Sequence, residues 1–220
     1  AQQNGRVIGQ EAQAIEQFFQ SLPGGLSDEE GATPPTTPTS SADAAKALAN
    51  IRKLLDAYDY PGAAKAVEAL IIQIRDERGA VKAGLQDVDL ARALELGGLT
   101  FAQSGNKKAA WFFFLNGMFV MRSVEGEARL RARLRSSLAL VRQRISRELG
   151  GMAALGRLEE SLSMAVGARD ALANEAGATD AELGRAEWIV GFLQLEGGDD
   201  AGTTTLDRAL ARLDKVMKPD

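Results

Sequence analysis

Apolar residues recur along this chain at the three-to-four-residue spacing of amphipathic helices, and nowhere in its interior do they alternate in the period of two that marks a strand. Ile8, Ala12, Ile15, Phe18, Phe19 and Leu22 share one face across residues 7–22, with Gln and Glu between them, so an N-terminal amphipathic helix is expected there, ended by Pro23-Gly24-Gly25. Residues 23–42 are rich in Gly, Ser, Thr and acidic side chains and carry Pro34, Pro35 and Pro38; such a stretch buries little and reads as an extended linker. From residue 43 onward only helices are expected. Their spans are 43–58, 62–78 (closed by Gly79), 88–104 (Asp87 as N-cap), 107–122 (Asn106 as N-cap), 124–148 (Ser123 as N-cap) and 152–175. Two more follow, one opened by a capping box of Thr179 and Glu182 and ending near Glu196, the other at 201–217 behind Asp199 or Asp200.

The turns near residues 59–61, 104–106, 149–151 and 197–199 recur at intervals of about 45–48 residues, the organisation of four antiparallel helix pairs. Within this frame one phrase stands out. Leu94, Gly98, Phe101, Gly105, Ala110, Phe114 and Gly117 fall at offsets 0, 4, 7, 11, 16, 20 and 23. Asp59-Tyr60-Pro61-Gly62-Ala63, followed by Val67 and Leu70, repeats its second half, and Leu193, Gly197, Leu206 and Ala209 keep a remnant. These spacings resemble the tetratricopeptide repeat, in which small residues let two antiparallel helices approach and large ones fill the gaps. The resemblance implies an all-α, right-handed array of about four αα-hairpins over residues 43–220, lengthened relative to the usual repeat, and a scaffold that holds partners. Gly98 and Gly117 are then the positions where neighbouring helices come closest. The Lys/Asn clamp by which some such domains hold a terminal carboxylate falls on Ala49, Lys53 and Leu96 here, so that activity is not implied.

Composition narrows the chemistry. The chain has 220 residues, 45% hydrophobic and 25% charged, enough for a core of ordinary size. A net charge of −4 argues against a nucleic-acid partner. The absence of Cys and His removes thiol nucleophiles, disulfides, the usual zinc sites and imidazole catalysis. No stretch reaches the roughly 18 apolar residues a membrane span needs. Arg outnumbers Lys 18 to 8, as expected of a GC-rich bacterial source. The opening Ala1-Gln2-Gln3 resembles a mature end left by signal-peptide removal, so a periplasmic or otherwise exported location is expected, with the cytoplasm as the alternative.

Two clusters bear on function. Half of the aromatic residues lie within 101–119: Phe101, Trp111, Phe112, Phe113, Phe114 and Phe119. Positions 111–114 cover every face of a helix, which either packs centrally between neighbours or leaves one side as a groove for a partner or for residues 7–22. Residues 122–147 carry eight Arg, of which Arg131, Arg135 and Arg142 share one flank; these either solvate a helix face, paired with Glu125, Glu159 or Glu160, or bind an anion. The acidic pairs Glu29-Glu30, Glu159-Glu160 and Asp199-Asp200 have linker, divergent or capping positions, and no phosphate loop or nucleophile motif occurs. The expected function is non-catalytic: a protein- or peptide-binding adaptor in envelope assembly, without cofactor or metal. Phe101, Trp111, Phe114, Arg131, Arg135 and Arg142 are its candidate partner-binding residues, and self-association through residues 7–22 is the further option. The alternative is a periplasmic small-ligand-binding protein that accompanies a transporter, with Phe101, Trp111 and Phe114 lining a closed pocket.

Overall fold

A computed structural model of the protein describes residues 37–150 and 152–217. The expected helix at 7–22 and most of the 23–42 linker lie outside the described residues. Within them the chain is all-α, with eight helices: α1 (Ser41–Asp56), α2 (Tyr60–Ile74), α3 (Asp87–Gln103), α4 (Lys107–Val120), α5 (Ala128–Leu149), α6 (Met152–Ala173), α7 (Asp180–Glu196) and α8 (Ala201–Met217). The only β pairing among the described residues is an isolated antiparallel bridge between Arg75 and Val81.

Local chemistry sets most helix ends. The Ser40 hydroxyl accepts from the Asp43 amide to start α1, the Asp59 carboxylate accepts from Gly62 to start α2 with Pro61 in the first turn, and the Asn106 side chain accepts from Ala109 to start α4. Thr179 and Glu182 form the expected capping box of α7. Three ends differ from expectation. Gln86, not Asp87, caps α3, and its amide donates to the Asp89 carboxylate at 3.0 Å. The helix expected to reach residue 78 stops at Ile74, because the Asp76 carboxylate accepts from the amides of Arg78 and Ala80 and folds the chain into a turn that returns Lys82 N–H to the Ile74 carbonyl. The helix expected from residue 124 begins at Ala128; Ser123 does not cap it, but donates to the Asp87 carboxylate at 3.0 Å and tethers the loop to the start of α3.

Each helix packs on the next in the chain, so the array is a succession of pairs, compatible with a helical repeat. Among alternate helices, α1 touches α3, α3 touches α5 and α5 touches α7, whereas the even-numbered helices do not touch one another. The main core runs from α1 to α5 around Ile51, Val67, Ile71, Leu94, Phe113, Phe114, Leu130 and Leu134. A second core of Ala139, Leu158, Ala165, Ile189, Val190 and Leu193 joins α5, α6 and α7.

Glycine decides how closely the pairs approach. A Cβ on Gly97 would lie 2.2 Å from the Phe113 ring, one on Gly98 2.4 Å from the Phe114 ring and one on Gly117 2.8 Å from Leu134. Gly117 lies within α4 and not at its end, so the glycine pattern of the sequence marks real helix contacts. In the last pair the contact is backbone to backbone: a Cβ on Gly202 would meet the Gly191 carbonyl oxygen at 2.6 Å.

Candidate functional site

Helix α4 is where packing and exposure diverge. Ala109, Ala110, Phe113, Phe114 and Gly117 are buried against α3 and α5. Its aromatic run places the next residues on the face that remains, where Trp111 is 37% and Leu115 41% exposed. Phe112, Met118 and Phe119 are half-buried beside them. Together with Asn116, Met121, Arg122 and Arg131 these side chains line an open groove of about 780 Å³. Trp111 and Phe112 also line a second depression of about 590 Å³, completed by Lys108, Arg142, Ile145, Ser146 and Arg157. The two form one apolar track along the outer side of α4, contributed by α4, α5 and the start of α6.

The rim of this track is basic. The Arg122 guanidinium stands over the Phe119 ring at 5.0 Å, a cation–π contact. Arg131 donates to the carbonyls of Met121 (3.1 Å) and Val124 (2.7 Å), which fixes the loop after α4. Arg142 is ion-paired with Glu160. No ion pair with a carboxylate is present for Lys108, Arg122, Arg131 or Arg157 among the described residues. In a chain of net charge −4, this local positive excess on an apolar surface is a property of the groove and not of the protein as a whole.

The structure therefore distributes the candidate residues. Trp111 and Arg131 line the larger groove, and Trp111 and Arg142 the smaller. Phe101 and Phe114 belong to the core, at 8% and 1% exposure, and Phe101 packs on Phe113 with ring centroids 5.1 Å apart. Arg135 is exposed and lies against Gly167 of α6. Arg131, Arg135 and Arg142 follow one flank of α5 as expected, but the partners of each differ. Leu115, Phe119 and Arg122 complete the groove and were not singled out as a set by the sequence; the i, i+4, i+8 spacing of Trp111, Leu115 and Phe119 is the signal that carries them.

A separate polar network ties together the odd-numbered helices. Arg133 of α5 grips Glu95 of α3 in a bidentate pair (2.7 and 3.0 Å) and reaches Glu182 of α7 at 2.7 Å, while Arg129 holds the other Glu182 oxygen at 2.6 Å. Desolvation by itself would raise the Glu182 pKa, but hydrogen bonds from Arg129, the Thr179 amide, Arg133 and the Thr179 hydroxyl outweigh it and hold the carboxyl at about 2. Burial disfavours the charged form of Arg133, yet Glu95 and Glu182 overcome this and raise its pKa. Beside it the Arg185 guanidinium donates to the Ser137 hydroxyl at 3.3 Å and pairs with no carboxylate among the described residues. The surrounding protein desolvates Arg185 even though its side chain reaches solvent, and this, together with Arg133 and Arg52, lowers its pKa against the pull of Glu95. Sequence periodicity does not single out Arg133, because its partners are 38 and 49 residues away.

Among the described residues no group of three or more acidic side chains is placed to hold a metal ion, and no helix is long and apolar enough to cross a membrane. In comparisons with known proteins, the chain matches no family model, no curated protein and no solved structure. The described residues define an all-helical array of consecutive helix pairs with a basic-rimmed apolar groove along α4.

Proposed function

We propose that this protein is a non-catalytic binding scaffold of tetratricopeptide-like architecture, whose α4 groove holds an apolar, acidic segment of a protein or peptide partner. The contact order supports the architectural part: odd helices in one continuous row with even helices standing apart is the arrangement of a curved stack of hairpins. The observation that carries the functional part is that Trp111 and Leu115 are exposed on a helix already packed on two sides. A soluble domain keeps a contiguous apolar face of this kind where something binds it, and Trp and Arg are the side chains that most often dominate such contacts. The basic rim, where Lys108, Arg122, Arg131 and Arg157 pair with no carboxylate among the described residues, favours an acidic occupant and disfavours a basic one. An open track along a helix suits an extended or helical segment. The small-ligand alternative is less well supported, since Phe101 and Phe114 are packed into the core, and neither lines the α4 groove.

The reading is tested with a photo-crosslinking amino acid at Leu115 in the source cells, compared with the same group at Ile72, which is 58% exposed on α2. A discrete crosslinked polypeptide specific to position 115 is the expected result, and it should weaken with added salt as the basic rim is screened. Identical, diffuse products from both positions would remove the groove as a partner site.

A further inference from the structure

The groove has a candidate occupant in the chain itself. We propose that residues 7–22 dock in cis along α4, against Trp111, Leu115 and Phe119, with the acidic tether crossing the basic rim. The inference rests on the reading of the α4 track as a binding groove and names its resident ligand.

Four observations converge. The first is pattern: Ile8, Ile15, Phe18, Phe19 and Leu22 form one apolar face of a segment that is too short to be a stable helix in water by itself, so its helicity requires a surface to pack on. The second is length. As a helix, residues 7–22 would extend about 24 Å, and the track follows α4 for about 18 Å from Lys108 to Val120 before continuing to Arg122 in the next loop. The third is charge. Residues 7–36 contain Glu11, Glu16, Asp28, Glu29 and Glu30 and no Lys or Arg. Lys108, Arg122, Arg131 and Arg157 line the track and form no ion pair with any described carboxylate. The fourth is where the described chain begins. The Thr39 carbonyl lies against Gly84, and the Ser41 hydroxyl donates to Asp89 at 2.6 Å, which places the start of α1 beside the start of α3. Asp87, in that same turn of α3, accepts from Ser123, the residue after Arg122. The chain therefore enters the described fold at the end of the molecule where the α4 track terminates. Residues 23–36 reach at most about 50 Å when extended and about 20 Å as a flexible coil, enough to round the end of α4.

A tether of this length also decides cis against trans. It holds the segment at an effective concentration in the millimolar range, far above the micromolar concentration of other copies of the chain. An external partner must then displace the segment, and the site is self-blocked at rest.

The chain has no cysteine, so an introduced pair reports alone. Ile15 is central in the segment and Leu115 central in the track, so a pair at these positions is insensitive to the direction in which the segment lies. The experiment uses the full chain with Ile15→Cys and Leu115→Cys, compared with Ile15→Cys and Ile72→Cys, under mild oxidation at micromolar protein. Leu115 and Ile72 are both exposed, so neither change disturbs the core. The expected result is a disulfide within the monomer that forms at least ten-fold faster for the 15/115 pair, and that slows toward the control when Phe18 and Phe19 are also replaced by Glu. Equal rates for the two pairs would overturn the docking. Disulfides confined to covalent dimers would overturn the cis assignment and make a second copy the occupant. If the disulfide fails while crosslinking from position 115 still captures a partner, the occupant is wrong and the groove stands. If the disulfide forms and no partner is captured, the segment is a permanent cover of α4.

Discussion

Gly98→Ala and Gly167→Ala are the same chemical change in two helices of one array, and the structure requires them to act with opposite sign. A Cβ on Gly98 would sit 2.4, 2.5 and 2.7 Å from three atoms of the Phe114 ring. Carbon atoms in contact are about 3.5–4.0 Å apart, so the ring must retreat by about 1 Å. Phe114 is 1% exposed and cannot retreat into solvent. Overpacking of this kind costs about 1–3 kcal/mol, against a gain of about 1 kcal/mol from replacing a helical Gly by Ala. With three ring atoms inside 3 Å the cost lies near its upper end, so Gly98→Ala should lose about 1–2 kcal/mol, and Gly98→Leu more. At Gly167 the nearest atoms to an added Cβ belong to the Arg135 guanidinium at 3.6–3.7 Å, ordinary contact. There the helix gain of about 0.5–1 kcal/mol should appear almost undiminished. Urea unfolding followed by far-UV circular dichroism gives both values. Phe114→Leu in the Gly98→Ala background should recover part of the loss, a coupling expected only if ring and Cβ collide. Two shifts of the same sign, or additivity with Phe114→Leu, would refute the close approach of α3 and α4.

The Arg133 network makes two further predictions. Arg133→Ala strands Glu95, which is 5% exposed, and should cost about 3–5 kcal/mol in chemical denaturation, whereas the combined Arg133→Met and Glu95→Leu change should cost much less, because Glu95 is no longer left buried without its partner and Glu182 keeps Arg129. Glu182 has a folded pKa of about 2 against an ordinary 4.5. A depressed carboxyl contributes stability that is complete above its unfolded pKa and is lost as pH falls through the folded one, so melting temperature should drop between about pH 4.5 and pH 2, and Glu182→Gln should flatten that part of the profile. Tyr58 closes α1 with φ of 60°, in the left-handed region; Tyr58→Gly should relieve about 1 kcal/mol and raise the melting temperature by a few degrees.

The sequence made the helices legible where a side chain near the end carries the decision. Asn106 and the Thr179/Glu182 box are local signals, and both occur at the expected residue. The ends that differed depend on distant or competing partners. Ser123 is a good capping residue that bonds Asp87 instead, and Asp76 folds a helix-compatible stretch into a turn. The glycine phrase at 94–117 was legible for a stronger reason: a Gly inside a helix is costly unless space demands it, so its recurrence marks contact. Gly191 and Gly202 have the same cause without the surrounding phrase, and nothing local identified them. In the site, four consecutive aromatic residues face every direction, so periodicity could not sort Trp111 from Phe114. Only the placement of α3 and α5 does that.

That placement also shapes how the groove can act. Its floor is the back of the core: Phe113 and Phe114 are buried beneath it, Gly97 and Gly98 seat those rings from one side, and Gly117 takes Leu134 from the other. Arg131 fixes the loop at one end of the track through two backbone carbonyls. A surface held in this way has little ordering left to do when a ligand arrives, so the conformational cost of binding falls on the ligand. For a free peptide that cost is large, because an isolated short helix is unstable. For a tethered segment the loss of translational freedom is already made by the covalent link, and only the helix remains to be formed. A competing partner must therefore bring either preformed structure or additional contacts beyond α4.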